Sequence, residues 1–155
     1  MGGRLFMNIL KIQRFFIALL FCLFLGCDVQ PSKPTPVGTQ AQHRDDAQKI
    51  YSAFQNHQSN FFVESKGRVI KILPDDLKGS RHQRFILELP HGQTILVAHN
   101  IDIAPRVNDL NIGDEVYFFG EYEHNGQGGV VHWTHHDPQY KKVGGWLEHK
   151  GMKYQ

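Results

Sequence analysis

The feature that most constrains this chain is a change of period at Asn60. Upstream, Ala47, Ile50, Tyr51 and Phe54 recur at helical spacing within Asp45 to Gln58, with Asp45 and Asp46 in the first turn. Downstream, apolar side chains alternate residue by residue. Period-two alternation buries one face of a strand and wets the other, which excludes a helical bundle. Phe61 to Leu73 reads as a long strand, with Gly67 placed for a bulge or sharp coil. Gln83 to Leu89, Thr94 to His99, Glu115 to Tyr122 and Val130 to Thr134 supply four more strands, separated by Gly-, Pro- and Asn-rich turns. Ile101 to Leu110 is less regular and has room for one short helix, and Gly144 to Leu147 with Met152 to Tyr154 reads as a terminal ribbon.

A chain of 155 residues supports one domain. The pattern predicts a mainly β fold: a small OB-like five-stranded Greek-key barrel over residues 60–155, preceded by an amphipathic helix in 43–59. An SH3-like barrel or a small sandwich is the alternative. Such folds bind nucleic acids, sugars, metals and proteins alike, so the fold alone assigns no function.

The first 27 residues read as an address. Residues 1–14 are basic and acid-free, and Phe15 to Leu25 is an unbroken apolar run of eleven. That length suits the core of a secretory signal peptide; a spanning helix needs about 20 apolar residues. Gly26-Cys27 then resembles a bacterial lipobox, which makes Cys27 the lipidation site and the membrane a partner through that lipid. Phe24 and Leu25 are larger than the usual lipobox residues; an uncleaved anchor and a cleaved, freely soluble form are the alternatives. Asp28 resembles the signal that keeps lipoproteins at the inner membrane. Residues 28–42 are rich in Pro, Ser, Thr and Gln and read as a tether, so the expected location is the cell envelope, facing the periplasm.

Charge and cysteine usage narrow the function. Without residues 1–27 the chain holds 14 basic and 15 acidic side chains, which argues against a nucleic-acid partner. Its two cysteines are Cys22, inside the apolar core, and Cys27. The mature domain then has no thiol for catalysis, metal binding or a disulfide staple.

The densest chemistry lies in His132-Trp133-Thr134-His135-His136-Asp137-Pro138. Neutral imidazole is the commonest ligand for zinc, copper and nickel and the usual general base near neutral pH. His132, His135 and His136 are the candidate metal ligands, with His99 and His82 at strand ends able to complete a site. Asp137, Asp102 and Asn100 are candidate orienting groups. Arg81 and Arg84 are candidates for holding an anion, and Trp133 and Trp146 for stacking. Against these stand plainer readings: a buried His/Trp/Asp network shaping the barrel end, a solvated Arg loop, an Asx turn at Asn100, and core tryptophans. No His-Glu-x-x-His or nucleophile motif is present.

Gly79 to Phe85 (GSRHQRF), Ala98 to Asp102 (AHNID), Ala104 to Arg106, Gly120 to Tyr122, the HWTHHDP run and Gly145-Trp146 resemble the bacterial domain of unknown function 3465, over roughly residues 60–154. That family has no assigned activity, so the resemblance implies no site residues. The residues themselves support three hypotheses. The first is a membrane-tethered binding module whose His-rich rim takes a transition metal or a small anionic ligand. The second is a metal- or His-dependent hydrolase of phosphodiester-type bonds. The third is a structural or interaction module.

Overall fold

The computed structural model describes residues 43–155. The expected signal segment 1–27, Cys27 and the tether 28–42 lie outside them. Among the described residues no helix is long and apolar enough to cross a membrane.

The alternating segments form a closed ring. Helix α1 (Ala47–Gln55) precedes β1 (Phe61–Asp76), β2 (His82–Glu88), β3 (Thr94–Asn100), β4 (Glu115–Glu123) and β5 (Val130–His132); β6 (Trp146–His149) and β7 (Met152–Tyr154) follow. β1, β2 and β3 pair antiparallel, β3 pairs β5 in parallel, β5 pairs β4, and β4 returns to β1. This is the strand order of a small OB-like Greek-key barrel. The inward positions Val63, Val69, Phe85, Leu87, Ile95, Val97, Val116, Phe118, Tyr122 and Val131 are fully buried in one core. Burying each such side chain stabilises by about 1.5–3 kcal/mol.

The helix starts later than its pattern suggested. Asp45 and Asp46 do not sit in its first turn; they join it to β1. The Asp45 carboxylate accepts from Ala47 N–H (3.0 Å) and Ser65 O–H (2.6 Å), and Asp46 accepts from Glu64 N–H (3.0 Å). The buried stripe is Ala47, Ile50 and Ala53, while Tyr51 is exposed and packs edge-on against His91 of the β2–β3 turn. Phe54 meets His124 after β4. α1 therefore covers the barrel end that carries the β2–β3 and β4–β5 turns.

Other expectations change as well. The register shifts of β1 fall between Val69 and Lys71 and between Leu73 and Asp76, not at Gly67. Gly67 instead allows a close strand approach, since a Cβ there would lie 2.9 Å from the Glu88 carbonyl oxygen. Residues 101–110 form turns without a helix. There Gln83 binds both backbone groups of Val107, at 2.9 Å each, and takes the place of helical bonding. His149 is buried on the inner face of β6 and bonds the Asp114 carboxylate at 2.8 Å.

One edge of β4 is shared by two strands: β5 pairs with Glu121 to Glu123, and β6 with Val116 to Phe119. Gly120 sits at the junction, where a Cβ would stand 2.5 Å from the His132 carbonyl oxygen and 2.8 Å from the Val131 side chain. Gly120→Ala is expected to lower unfolding free energy in urea by roughly 1–3 kcal/mol. Gly126→Ala has open space at its Cβ, and its change is expected to stay within about 0.5 kcal/mol.

Candidate functional site

The HWTHHDP run is the excursion the chain makes between β5 and β6. β5 stops at His132 because Trp133 adopts φ 54°, a left-handed conformation that a bulky residue rarely takes. Such a residue stores roughly 1–3 kcal/mol of strain, which the surroundings must hold. The indole N–H donates to the Val143 carbonyl at 2.9 Å, and Gly145 N–H donates to the His135 carbonyl at 2.8 Å. Gly145 approaches the carbonyls of Trp133 and Phe119 too closely for any Cβ. Asp137 accepts from the backbone N–H groups of Gln139 (3.0 Å), Lys141 (2.7 Å) and Lys142 (2.7 Å). Those donors, Gln139 foremost, hold its carboxyl below the usual range. Asp137 thus shapes its own loop and orients no imidazole.

His99 ties this loop to the β3–β4 connection. Its ring is fully buried. Nε2–H donates to the Pro105 carbonyl at 3.0 Å, which can only accept, so Nδ1 takes the Thr134 hydroxyl proton at 2.8 Å. Burial pushes the His99 pKa down from 6.5 to about 4, helped by the nearby His135 and His82.

His82 and His135 share a second arrangement. Each gives Nδ1–H to a backbone carbonyl, Ser80 at 2.8 Å and His136 at 2.7 Å, which leaves the Nε2 lone pair free. That is the tautomer of a metal ligand or general base. His132 points elsewhere, outward from β5 with Nε2 3.5 Å from Glu123, and His136 packs against Tyr140. Among the described residues no three His, Cys, Asp or Glu groups stand close enough to enclose an ion.

The remaining predicted residues divide between the same rim and a distant face. Arg81 bonds Asp102 through its backbone (2.7 Å) and guanidinium (2.6 Å), which lowers the Asp102 pKa. Arg84 donates to the Pro74 carbonyl (2.9 Å), and Asn100 accepts from Asp102 N–H (2.9 Å) in an Asx turn. Trp146 lies apart, on the outer face of β6. Its neighbours there are Phe119, His43 and Lys153, whose ammonium sits 4.3 Å over the indole.

Trp133 borders a cleft of about 320 Å³ between Ile103 of the β3–β4 connection and the loop that carries Pro138, Lys141 and Lys142. The Lys142 ammonium stands 5.2 Å over the indole, and His135 packs 4.8 Å from it. Ile103, Lys141 and Lys142 were not visible as site residues, because no spacing connects them to Trp133. The one available signal was Lys141-Lys142 just beyond the His-rich run.

Residues 35–155 match the family model described as "Protein of unknown function (DUF3465)". The chain belongs to this family. The match takes in α1 as well as the barrel. No curated protein matches the chain.

The DUF3465 barrel therefore carries a buried neutral imidazole under its rim, with a defined consequence for pH. The unfolded chain takes up a proton near pH 6.5, whereas folded His99 does so only at about 4. Stability from this group is complete above pH 6.5, declines as pH falls and levels off below about 4. The full difference is about 3 kcal/mol. Urea unfolding at pH 7.5 and 4.5 is expected to show most of that loss, and His99→Gln to flatten it.

Proposed function

We propose that this DUF3465 chain is a lipid-tethered binding protein of the bacterial envelope, and that its barrel rim takes a small anionic ligand with a flat apolar face. The observation that carries the reading is the Trp133 cleft. An indole held in a strained backbone conformation faces an apolar wall, Ile103 and Pro138, and two lysines stand at its edge. Strain of this kind collects where a surface must be presented in one orientation. The indole supplies stacking, and Lys141 and Lys142 supply positive charge for a carboxylate or phosphate. Asp137, also at the cleft, has its carboxylate engaged by three backbone N–H groups of the loop. The membrane anchor rests on Cys27 and the segment before it.

A transition metal, zinc, copper or nickel, is the second reading. The observation that favours it is the shared tautomer of His82 and His135, each with Nε2 unengaged beside the buried His99. Two imidazoles and water would hold such an ion weakly.

One titration series separates the two. The full chain in detergent is titrated with benzoate, adenosine monophosphate, inorganic phosphate and zinc, read by calorimetry and tryptophan fluorescence. The anion reading expects saturable binding of benzoate and adenosine monophosphate over phosphate. Trp133→Ala is then expected to weaken that binding by roughly tenfold or more, and Trp146→Phe to leave it unchanged. Zinc binding that disappears in His82→Ala/His135→Ala supports the second reading. Absence of saturable binding by all four overturns both.

A further inference from the structure

The described domain is nearly neutral, with thirteen basic and fourteen acidic side chains, but its charge is unevenly spread. Residues 68–86 hold five basic side chains against two acidic ones. This stretch is the second half of β1, the connecting loop and most of β2. Up to Arg68, β1 is paired with β4; beyond it, β1 pairs with β2 alone while β2 stays paired with β3, so the end of β1 and the β1–β2 loop form an arm with one open edge at the rim.

The arm exposes apolar surface next to unpaired positive charge. Ile70, Ile72 and Leu77 are 38%, 41% and 68% exposed. Arg68 is paired with Glu88, Arg81 with Asp102, and Asp75 with Arg106. Asp76 accepts from Lys78 N–H. Lys71 and Lys78 form no ion pair among the described residues.

Three aliphatic side chains interleaved with two free ammonium groups suit an anionic lipid surface. The aliphatic groups enter the headgroup boundary while the lysines meet phosphates. A nucleic acid would gain little stacking here, since the one Phe, Tyr or Trp of the stretch, Phe85, is fully buried. We propose that the β1–β2 arm docks on the anionic membrane surface to which the chain is tethered. The proposal rests on the lipid-anchor reading above. Fifteen residues separate Cys27 from the described domain, a reach of at most roughly 50 Å. At that distance a weak surface contact is reinforced by high local concentration.

The test uses the full chain reconstituted with vesicles of phosphatidylcholine, alone or with about a third phosphatidylglycerol. Flotation reads the anchor, and amide hydrogen exchange in residues 70–81 reads the arm. Slower exchange in the arm on the anionic vesicles, with α1 unchanged, is expected. Lys71→Glu and Lys78→Glu are each expected to weaken the docked state by roughly fivefold, and Leu77→Asp to weaken it as well. Thermal unfolding checks that the variants remain folded; should the lysine variants unfold, Leu77→Asp in the exposed loop decides alone. A chain that floats with both vesicles while its arm exchanges equally on each overturns the arm alone. A chain that floats with neither overturns anchor and arm together. Arm protection without vesicles that grows with protein concentration marks a second copy as the occupant and overturns the lipid assignment.

Discussion

The structure depends on how one edge of β4 is satisfied. An exposed strand edge is a row of unpaired N–H and C=O groups, and a barrel exists to remove such edges. β5 covers only Glu121 to Glu123 of this edge, and β6 covers Val116 to Phe119. Two short strands thus do what one long strand would otherwise do. The chain must leave the sheet after His132 and come back at Trp146, and that detour is the whole of the His-rich motif. Gly120 and Gly145 mark the points where departing and returning backbones pass too close for a side chain.

Much of the motif's polar chemistry follows from this detour. Thr134 bonds His99, the His135 carbonyl receives Gly145, and Asp137 gathers three backbone donors. A loop that turns back on itself leaves many N–H groups without sheet partners, and a carboxylate is the densest acceptor available to them. His99 does the same for the β3–β4 connection, linking Thr134 to Pro105 through a single ring. Architecture and presentation are therefore joined in the same residues. The bonds that close the detour also hold the Trp133 indole against the cleft, with the lysines of that loop beside it.

The barrel ends differ in kind. α1 seals one with Ile50 and Ala53, so that end belongs to the core. The other end gathers the arm, the turns at 101–110 and the detour, and it carries His82, Arg81, Asp102, His99, His135 and Trp133. Basic charge concentrates in the arm beside that rim within a domain otherwise slightly acidic. A barrel with one sealed and one decorated end has a direction, set by the fold and not by any single residue.

Strand content and turns were legible in the sequence, because period-two alternation survives in any environment that buries one face. The concentration of polar chemistry between Val130 and Trp146 was legible too, since residue types are read without coordinates. The rest came from packing between segments distant in sequence. Spacing treated His132, His135 and His136 as one set, but strand alternation beside the inward Val131 faces His132 outward, and the left-handed Trp133 then turns the chain so that His135 lies under the rim. Asp102 and Asp137, read as orienting groups, went to a guanidinium and to backbone N–H groups, because those donors lay closest once the loops closed. Trp133 and Trp146 looked alike in sequence and ended on different faces, since one belongs to the detour and the other to the strand that ends it. Partner choice depends on which segments meet in space, and period and composition carry no record of that.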